Sequence, residues 1–435
     1  MAGGDRSGDG EGRDVTARSR LWLTLLPAAA GLLALPVVQR ATAGELPAAC
    51  RGDHWVAAWT AAAQGSSLGR PDDGVLGLAD GPARTFADQT LRMVVSPALG
   101  GSALRVRFGN HHGTAPVTIA SATVARRAFG AAAVPSSIEG LRFGGADSIV
   151  VPAGAEAVSD PVFVDVAAGA ALLVSFHVTG LAVLDHHQWA QSTQYAAGVA
   201  AGDHSYDTSA AAFDEELSGW YGVSGVDVLA PRGSGAVVAL GDSITDGVGS
   251  SPNLDRRWPD RLNERLRSLG VPLGVVNAGI AGNQVALTSG IGPAAIDRVE
   301  LDALRLAGVT DLVVFEGIND VFMSGGASDA VGRVVAGYEA IISAAHDAGV
   351  RVIGATLTPA SLDGAREAAR LSVNEWIRSS GAFDAVVDFD AVARDPSQPS
   401  RLRPAWDAGM AHLTDRGYEA LAKAFPVDEL QGVDC

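Results

Sequence analysis

The segment at residues 241–247 contains the residue types that could begin nucleophilic catalysis. It reads Gly-Asp-Ser-Ile-Thr-Asp-Gly and directly follows the apolar run at residues 236–240. A short apolar run that ends in a glycine-containing turn is typical of a buried strand, and it would present Ser243 at the carboxyl end of a sheet. A serine hydroxyl is a weak nucleophile, so it needs a base and a set of oxyanion donors. The alternative for Ser243 alone is an inert helix N-cap.

Two later segments could supply the oxyanion donors. Residues 277–283 read Asn-Ala-Gly-Ile-Ala-Gly-Asn and residues 316–320 read Glu-Gly-Ile-Asn-Asp, and each follows an apolar run. Because the carboxyl ends of parallel strands meet at the same edge of a sheet, we expect both segments to lie close to Ser243. The alternative is that their glycine and asparagine residues are ordinary turn residues. Their position after successive strands favours the donor role.

The last histidine of the chain, His412, lies in the segment Met-Ala-His-Leu-Thr-Asp and completes a set of four blocks. In this order the blocks resemble those of the SGNH (GDSL) hydrolases, and the resemblance covers about residues 235–428. It implies that Ser243 is the nucleophile and that His412 is the general base. It also implies an oxyanion hole made by the N–H groups of Ser243 and Gly282 and the side-chain amide of Asn319. This chemistry needs no metal or organic cofactor.

The sequence departs from the family pattern just before the histidine. An acid normally stands three residues before it, and here that position is Gly409. The nearest upstream acid is Asp407, five residues before His412. Three hypotheses are open: Asp407 orients the imidazole through a rearranged loop, a backbone carbonyl orients it in a Ser–His dyad, or the site is impaired. Loss of the orienting carboxylate can cost about 10⁴-fold in rate. We favour Asp407.

These residues predict a secreted serine ester hydrolase that works through an acyl-Ser243 intermediate. The substrates we expect are small-molecule esters or the acyl esters of carbohydrates, polysaccharides or lipids, an expectation that rests on the resemblance. Two alternatives are kept. One is a catalytically impaired carbohydrate-binding protein of the same fold, which Gly409 motivates. The other is an acyltransferase that uses a sugar acceptor in place of water.

Composition limits the partners and suggests about two domains. The chain has 435 residues, of which 47% are hydrophobic and 19% are charged, enough to bury sizeable cores. Its formal net charge of -17 argues against nucleic acid and anionic membrane surfaces as partners.

The N-terminus carries the pattern of a Sec-type signal peptide. The apolar stretch at residues 21–38 follows Arg13, Arg18 and Arg20 and precedes Ala-Thr-Ala at residues 41–43. This arrangement predicts a signal peptide at residues 1–43 and secretion. The alternative is a retained membrane anchor, which two prolines within the stretch disfavour. No other stretch is long enough to cross a bilayer, so we expect no integral segment in the mature chain.

The chain has two cysteines, Cys50 and Cys435, near the two ends of the predicted mature chain. In an oxidising compartment such a pair predicts one disulfide, since chain termini often lie close together. The alternative is two free or intermolecular thiols.

The periodicity of the apolar residues changes along the chain. Residues 44–230 contain short alternating runs separated by turn residues, which predicts an all-β, jelly-roll-like sandwich as an accessory domain. Pro-Arg-Gly-Ser-Gly at residues 231–235 marks a boundary. In residues 235–428 strands and helices alternate, which predicts an α/β domain with a parallel sheet covered by helices. The resemblance implies a flavodoxin-like three-layer α/β/α fold for this domain. Residues 429–435 are interpreted as a C-terminal tail.

Two groups of residues in the β-rich part invite other functions. The histidine pairs at residues 111–112 and 186–187 match no familiar metal-ligand spacing, and we interpret them as surface or core histidines. Four tryptophans could form a sugar-stacking platform, but we expect them in the core, where large aromatics dominate. They are Trp55, Trp59, Trp189 and Trp220.

Overall fold

A computed structural model describes residues 50–65, 84–289, 291–324 and 329–433. The predicted signal peptide at residues 1–43 lies outside the described residues. Cys435 also lies outside them, while Cys50 is buried. Secretion and the Cys50–Cys435 disulfide therefore stay predictions.

The N-terminal part of the described chain is built from β-strands. They are β1 (His54–Thr60), β2 (Thr85–Val95), β3 (Leu104–Asn110), β4 (Val117–Phe129), β5 (Ala132–Ala133), β6 (Glu139–Gly140), β7 (Ile149–Val151), β8 (Ala155–Val158), β9 (Leu172–Val183), β10 (His186–His187), β11 (Gln194–Ala196), β12 (Glu215–Leu217), β13 (Trp220–Tyr221) and β14 (Val223–Ala230). A single 3₁₀ turn, Pro135–Ser137, interrupts this described β-rich region.

All the strand pairs of this region are antiparallel among the described residues. One sheet has the order β1-β14-β3-β8, a larger sheet has the order β12-β11-β2-β9-β4-β5, and β10 pairs with β13. The two larger sheets share a core, because Phe108 of β3 and Phe176 of β9 meet edge to face with ring centroids 5.4 Å apart. The expected β-rich region is confirmed, whereas its jelly-roll connectivity stays a prediction.

The C-terminal part alternates strands and helices. In chain order the elements are β15 (Gly235–Gly241), α1 (Ser243–Asp246), α2 (Trp258–Leu269), β16 (Leu273–Gly279), α3 (Ala295–Val299), β17 (Val309–Phe315), α4 (Ile318–Met323), α5 (Ala330–Asp347), β18 (Arg351–Ala355), α6 (Gly364–Ser379), β19 (Ala385–Val387), α7 (Phe389–Ala393), β20 (Arg394–Asp395), β21 (Gln398–Leu402), β22 (Asp407–Gly409), β23 (His412–Leu413) and α8 (Asp415–Ala424). A π-helical turn, Glu300–Leu304, continues α3, and a 3₁₀ turn, Val427–Glu429, follows α8.

A parallel sheet organises this part of the chain. Its order is β16-β15-β17-β18-β19, and β15 is buried along its whole length. A continuous apolar run such as Ala-Val-Val-Ala-Leu is expected for a strand that is covered on both faces. The mixed α/β prediction with a parallel sheet is confirmed. Because β16, β15 and β17 are neighbours, the turns that follow them meet at one edge of the sheet.

The two parts of the chain contact each other directly. Residues 46–435 form one compact unit, and the N–H of Ala57 in β1 donates to the carbonyl oxygen of Ala307 at 2.8 Å. The division into domains at residues 231–235 stays a prediction. Of the helices that the structure describes, none has the length and apolar character needed to cross a membrane.

Candidate active site

Ser243 is the first residue of α1, and only Asp242 separates it from β15, an interior strand of the parallel sheet. The side chain of Asp242 caps this helix by accepting the N–H of Ile244 at 2.9 Å. The helix ends at Gly247, whose φ of +101° is a left-handed conformation that favours glycine. Because Asp242 is the cap, the hydroxyl of Ser243 is available for another partner. That partner is His412, whose Nε2 lies 2.9 Å from Oγ of Ser243.

His412 lies on β23, which forms a short hairpin with β22. Burial lowers the pKa of His412 below its usual range, and the negative charge of Asp246 partly opposes this effect. A lowered pKa keeps the imidazole neutral at physiological pH. A neutral ring within hydrogen-bond distance of a hydroxyl can accept its proton, as a general base must.

The hairpin does not bring Asp407 onto the His412 ring. The residue paired with His412 is Gly409, and Asp407 pairs with Leu413. The Asp407 side chain is exposed, and its Oδ1 accepts the N–H of Gly409 at 2.7 Å. Among the described residues, the hydrogen bond of the imidazole is the one to Ser243. The geometry is that of a Ser–His pair, and the orienting role of Asp407 stays a hypothesis.

The residues of the expected oxyanion hole lie beside this pair. Gly282 has a φ of +79°, and a Cβ at this position would lie 2.6 Å from Cδ1 of Ile291. The left-handed backbone conformation favours glycine, and a larger residue would also displace the end of the Ile291 side chain. Asn319, in the first turn of α4, donates from Nδ2 to the carbonyl oxygen of Asn283 at 2.8 Å. An amide nitrogen carries two hydrogens, so one remains for a substrate oxygen.

A cavity of about 420 Å³ joins these side chains. Ser243, Gly282, Asn319 and His412 all line it, and Asp407 lies at its wall. The other lining residues are mostly apolar, namely Trp189, Val248, Ala281, Ile318, Phe322, Ala360, Ser361, Met410 and Ala411. The structure thus brings together every site residue that the sequence predicted in the α/β part.

The tryptophans of the β-rich region have different environments. Trp59 and Trp220 are buried and meet edge to face with centroids 5.1 Å apart, as expected for core residues. Trp55 is partly buried, with the guanidinium of Arg105 4.7 Å from its ring centroid. Trp189 is also partly buried, but it lines the catalytic cavity. The core prediction therefore does not hold for Trp55, which is outside the buried core, or for Trp189, which lines the cavity beside Ser243.

Sequence reasoning missed Arg298, a buried residue that hydrogen-bonds to the segments carrying the site residues. This residue of α3 is 2% exposed. Its guanidinium donates to the carbonyl oxygen of Gly241 at 3.0 Å, to that of Ala278 at 2.7 Å and to Oδ1 of Asn283 at 2.9 Å. It therefore ties the nucleophile turn to the donor segment after β16. The available signal was a charged residue next to an apolar stretch, which by itself is also typical of an exposed helix face.

Three buried carboxyl groups lie close to one another beside the catalytic turns. Burial raises the pKa of Asp242 to about 7, although the N–H of Ile244 opposes the shift. Burial also raises the pKa of Asp320 to about 6, against the N–H groups of Val285 and Ala286, which it accepts. For Glu316, burial and the nearby Asp242 raise the pKa well above its usual range. Asp242 and Asp320 thus hold the loops through backbone hydrogen bonds. Among the described residues, no group of three or more His, Cys, Asp or Glu side chains could hold a metal ion.

Several solved structures are similar to part of this chain. A member of the lipolytic protein G-D-S-L family from Veillonella parvula is 22% identical, with a TM-score of 0.34, over 44% of this chain and 96% of its own. The acetyl xylan esterase AlAXEase is 21% identical, with a TM-score of 0.35, over 43% and 96%. A GDSL-like lipase from Bacteroides thetaiotaomicron is 19% identical, with a TM-score of 0.34, over 43% and 84%. Similarity at this level carries no argument about substrate.

A comparison with curated proteins finds no match. The family model described as the GDSL-like Lipase/Acylhydrolase family matches residues 239–420. The matched range begins within β15 and ends within α8, so it includes Ser243, Asn319 and His412. Residues 239–420 of this chain are therefore a domain of the GDSL-like lipase/acylhydrolase family, a family of ester hydrolases.

Proposed function

We propose that this protein is a secreted serine esterase that cleaves carboxylic esters through an acyl-Ser243 intermediate. The observation that carries the proposal is the 2.9 Å contact between Oγ of Ser243 and Nε2 of His412 inside a substrate-sized cavity. The same cavity is lined by Gly282 and Asn319, which supports their role as oxyanion donors.

The reaction follows from these positions. His412 removes the hydroxyl proton of Ser243 as its oxygen attacks the acyl carbon. The N–H groups of Ser243 and Gly282 and the amide of Asn319 stabilise the oxyanion. His412 then protonates the leaving alcohol, which completes acylation. A water molecule that His412 deprotonates attacks the acyl-enzyme and releases the acid.

The chemistry of the cavity limits the substrate. Its lining is mostly apolar, and its charged member, Asp407, is an exposed carboxylate. Such a lining favours a small, uncharged acyl group and disfavours an anionic one. The carrier of the ester, whether a small alcohol, a carbohydrate or a lipid, would extend out of the cavity. We propose that the β-rich region, as a jelly-roll-like sandwich, walls this cleft through Trp189.

A second function has one observation in its favour. Among the described residues, no carboxylate bonds to the imidazole of His412. A catalytically impaired carbohydrate-binding protein of this fold would tolerate that arrangement. A hydrolase tolerates it as well, because a removed triad member still leaves a residual rate above that of water.

The decisive experiment compares the purified protein with its Ser243→Ala variant on p-nitrophenyl acetate. We expect the variant to lose at least about 10⁴-fold in kcat, as is typical of a lost serine nucleophile. Equal rates for the two proteins would rule out the esterase. Products are also analysed in the presence of an added alcohol or sugar. Transfer of the acyl group to that acceptor, in preference to water, would identify an acyltransferase.

A further inference from the structure

A buried polar bridge connects the β-rich region to the catalytic helix. His187 of β10 is 4% exposed, and its Nε2 lies 3.0 Å from Oδ1 of Asp246, the last residue of α1. Its Nδ1 lies 2.9 Å from the carbonyl oxygen of Ala62. Ser243 begins the same four-residue helix. The bridge therefore ends one helical turn away from the nucleophile.

The geometry of the bridge determines which nitrogen atoms of His187 carry a proton. The carbonyl oxygen of Ala62 can only accept a hydrogen bond, so Nδ1 of His187 donates. A second proton must lie between Nε2 and the carboxyl oxygen of Asp246, since two acceptors would repel each other. Burial alone would lower the pKa of His187, but the charge and hydrogen bond of Asp246, with that of Ala62, raise it above its usual value. The pair stays bonded at neutral pH.

The other oxygen of Asp246 reaches the oxyanion segment. Oδ2 accepts the N–H of Ala281 at 2.9 Å, and Ala281 is the residue before Gly282. The two oxygens of one buried carboxylate thus connect His187 to the backbone that carries an oxyanion donor. A carboxylate held on one side by an imidazole has little freedom to rotate away from its N–H partner on the other.

A second contact from the β-rich region reaches Ile291, the residue that packs beside Gly282. Gln64 is 2% exposed, and its Nε2 donates to the carbonyl oxygen of Ile291 at 2.9 Å. Its Oε1 accepts the N–H of Gln188, next to His187, at 2.7 Å. The side chain of Ile291 occupies the space beside Gly282. Gly282 is therefore supported on two sides by residues that lie far away in the sequence.

We propose that His187 is a positioning residue for ester hydrolysis, which it serves by holding Asp246 and through it the peptide of Ala281 and Gly282. This inference rests on the proposed function, since it concerns the oxyanion hole of that reaction. Oxyanion donors are effective only when they are already in place before charge develops. The β-rich region is then a working part of the active site and more than a neighbouring domain.

The test compares two substitutions of His187 with a matched control. His187→Phe keeps the ring volume and removes both hydrogen bonds, whereas His187→Gln keeps an amide N–H that can reach Asp246. The control is His177→Phe. His177 is also buried, and its Nε2 lies 2.9 Å from Oδ1 of Asp88, but both residues belong to the β-rich region.

We expect His187→Phe to lower kcat on p-nitrophenyl acetate by about tenfold or more, with KM changed less than about threefold, because a transition-state interaction is lost. His187→Gln should recover part of the loss, and His177→Phe should retain the wild-type kcat. The affinity of a boronic acid, which forms a tetrahedral adduct with the serine, should fall in proportion to kcat/KM. Circular dichroism and thermal unfolding show that each variant is folded.

Two results would overturn the inference. One is a wild-type kcat in folded His187→Phe, and the other is an equal loss in His187→Phe and His177→Phe, which would indicate a general packing effect. If His187→Phe does not fold, His187→Asn takes its place, because its shorter amide can keep the hydrogen bond to Ala62 but cannot reach Asp246. Wild-type kcat and boronic acid affinity in that variant would contradict the proposal. A failure of the proposed function looks different, because the wild type would then be no faster than Ser243→Ala. That result removes both proposals.

Discussion

The β-rich region and the α/β region contribute to the same cavity in different ways. In the α/β region each site residue follows a buried strand or a tight turn, so its role depends on its immediate neighbours in the chain. In the β-rich region, His187 and Trp189 lie in a short strand and a loop without a motif. The comparison shows that the candidate reacting groups all come from the α/β region, whereas the β-rich region adds part of the cavity wall and part of the support.

Two buried arginines, one in each region, differ in what they support. Arg298 binds the carbonyl groups of the catalytic turns, whereas Arg92 of β2 donates to Oγ of Ser175 at 2.7 Å and to the carbonyl oxygen of Ala131 at 2.7 Å. Burial lowers the pKa of Arg92 to about 10, against the raising effect of Asp207. Both side chains satisfy buried oxygens, but only the partners of Arg298 belong to the site. We therefore expect substitutions in the two regions to affect activity and stability differently.

After Ser243, the largest effect is expected at the oxyanion hole. Asn319→Ala should lower kcat by about 10²–10³-fold with little change in KM, because a side-chain donor acts mainly in the transition state. Steady-state kinetics on p-nitrophenyl acetate measure the effect, with Asn374→Ala as a control for the loss of a buried asparagine away from the cavity. A kcat within about threefold of wild type would exclude Asn319 as a donor.

The two arginines should separate stability from activity. Arg298→Met and Arg92→Met should each destabilise the fold by about 1–3 kcal/mol for each buried oxygen left without a partner. Only Arg298→Met should also lower kcat, by about tenfold or more, because the catalytic turns lose their common support. Thermal unfolding and kcat are measured together. If Arg298→Met does not fold, Arg298→Lys takes its place. An equal loss of kcat in both arginine variants would contradict the expectation that only Arg298 supports the catalytic turns.

The pH profile tests the base. Hydrolysis requires neutral His412, so kcat/KM should fall about tenfold per pH unit below the pKa of the free enzyme. Because burial lowers that pKa, the fall should begin below the usual histidine value of about 6.5. The measurement is the profile of kcat/KM between about pH 4 and pH 9. The substrate is an ester whose uncatalysed hydrolysis is slow over this range compared with the enzyme rate. An acid limb clearly above that value would contradict the lowered pKa.

Trp189 tests whether the β-rich region contributes to substrate selection. Trp189→Ala should change the ratio of kcat/KM between acetate and longer acyl esters by about 10–200-fold at most, because apolar contacts discriminate by about 1–3 kcal/mol. Trp55→Ala, outside the cavity lining, is the control. An unchanged chain-length preference in Trp189→Ala would confine selection to the α/β region.

The smallest effect is expected at Asp407. Asp407→Asn should change kcat/KM by less than about threefold, because the structure gives this exposed carboxylate a bond to the N–H of Gly409 and none to His412. A loss approaching about 10⁴-fold would establish Asp407 as the orienting acid.

Much of the site follows from local sequence. Ser243 and Asn319 lie in the first turns of short helices that follow apolar strands, and Gly282 has a left-handed backbone conformation that favours glycine. Strand order in the parallel sheet then brings these turns to one edge. The β-rich region could also be expected from its alternating runs, since residue alternation and turn residues are local properties.

The sequence alone was enough to predict the candidate reacting residues and the two kinds of secondary structure that carry them. Only the tertiary structure decided that Gly409 stands opposite His412, that Trp189 lines the cavity, and that His187 meets Asp246 across 59 residues of chain. The physical reason is the range of the interactions. Caps, turns and strand periodicity depend on neighbours along the chain, whereas a buried hydrogen bond between distant segments leaves no periodic pattern in either of them.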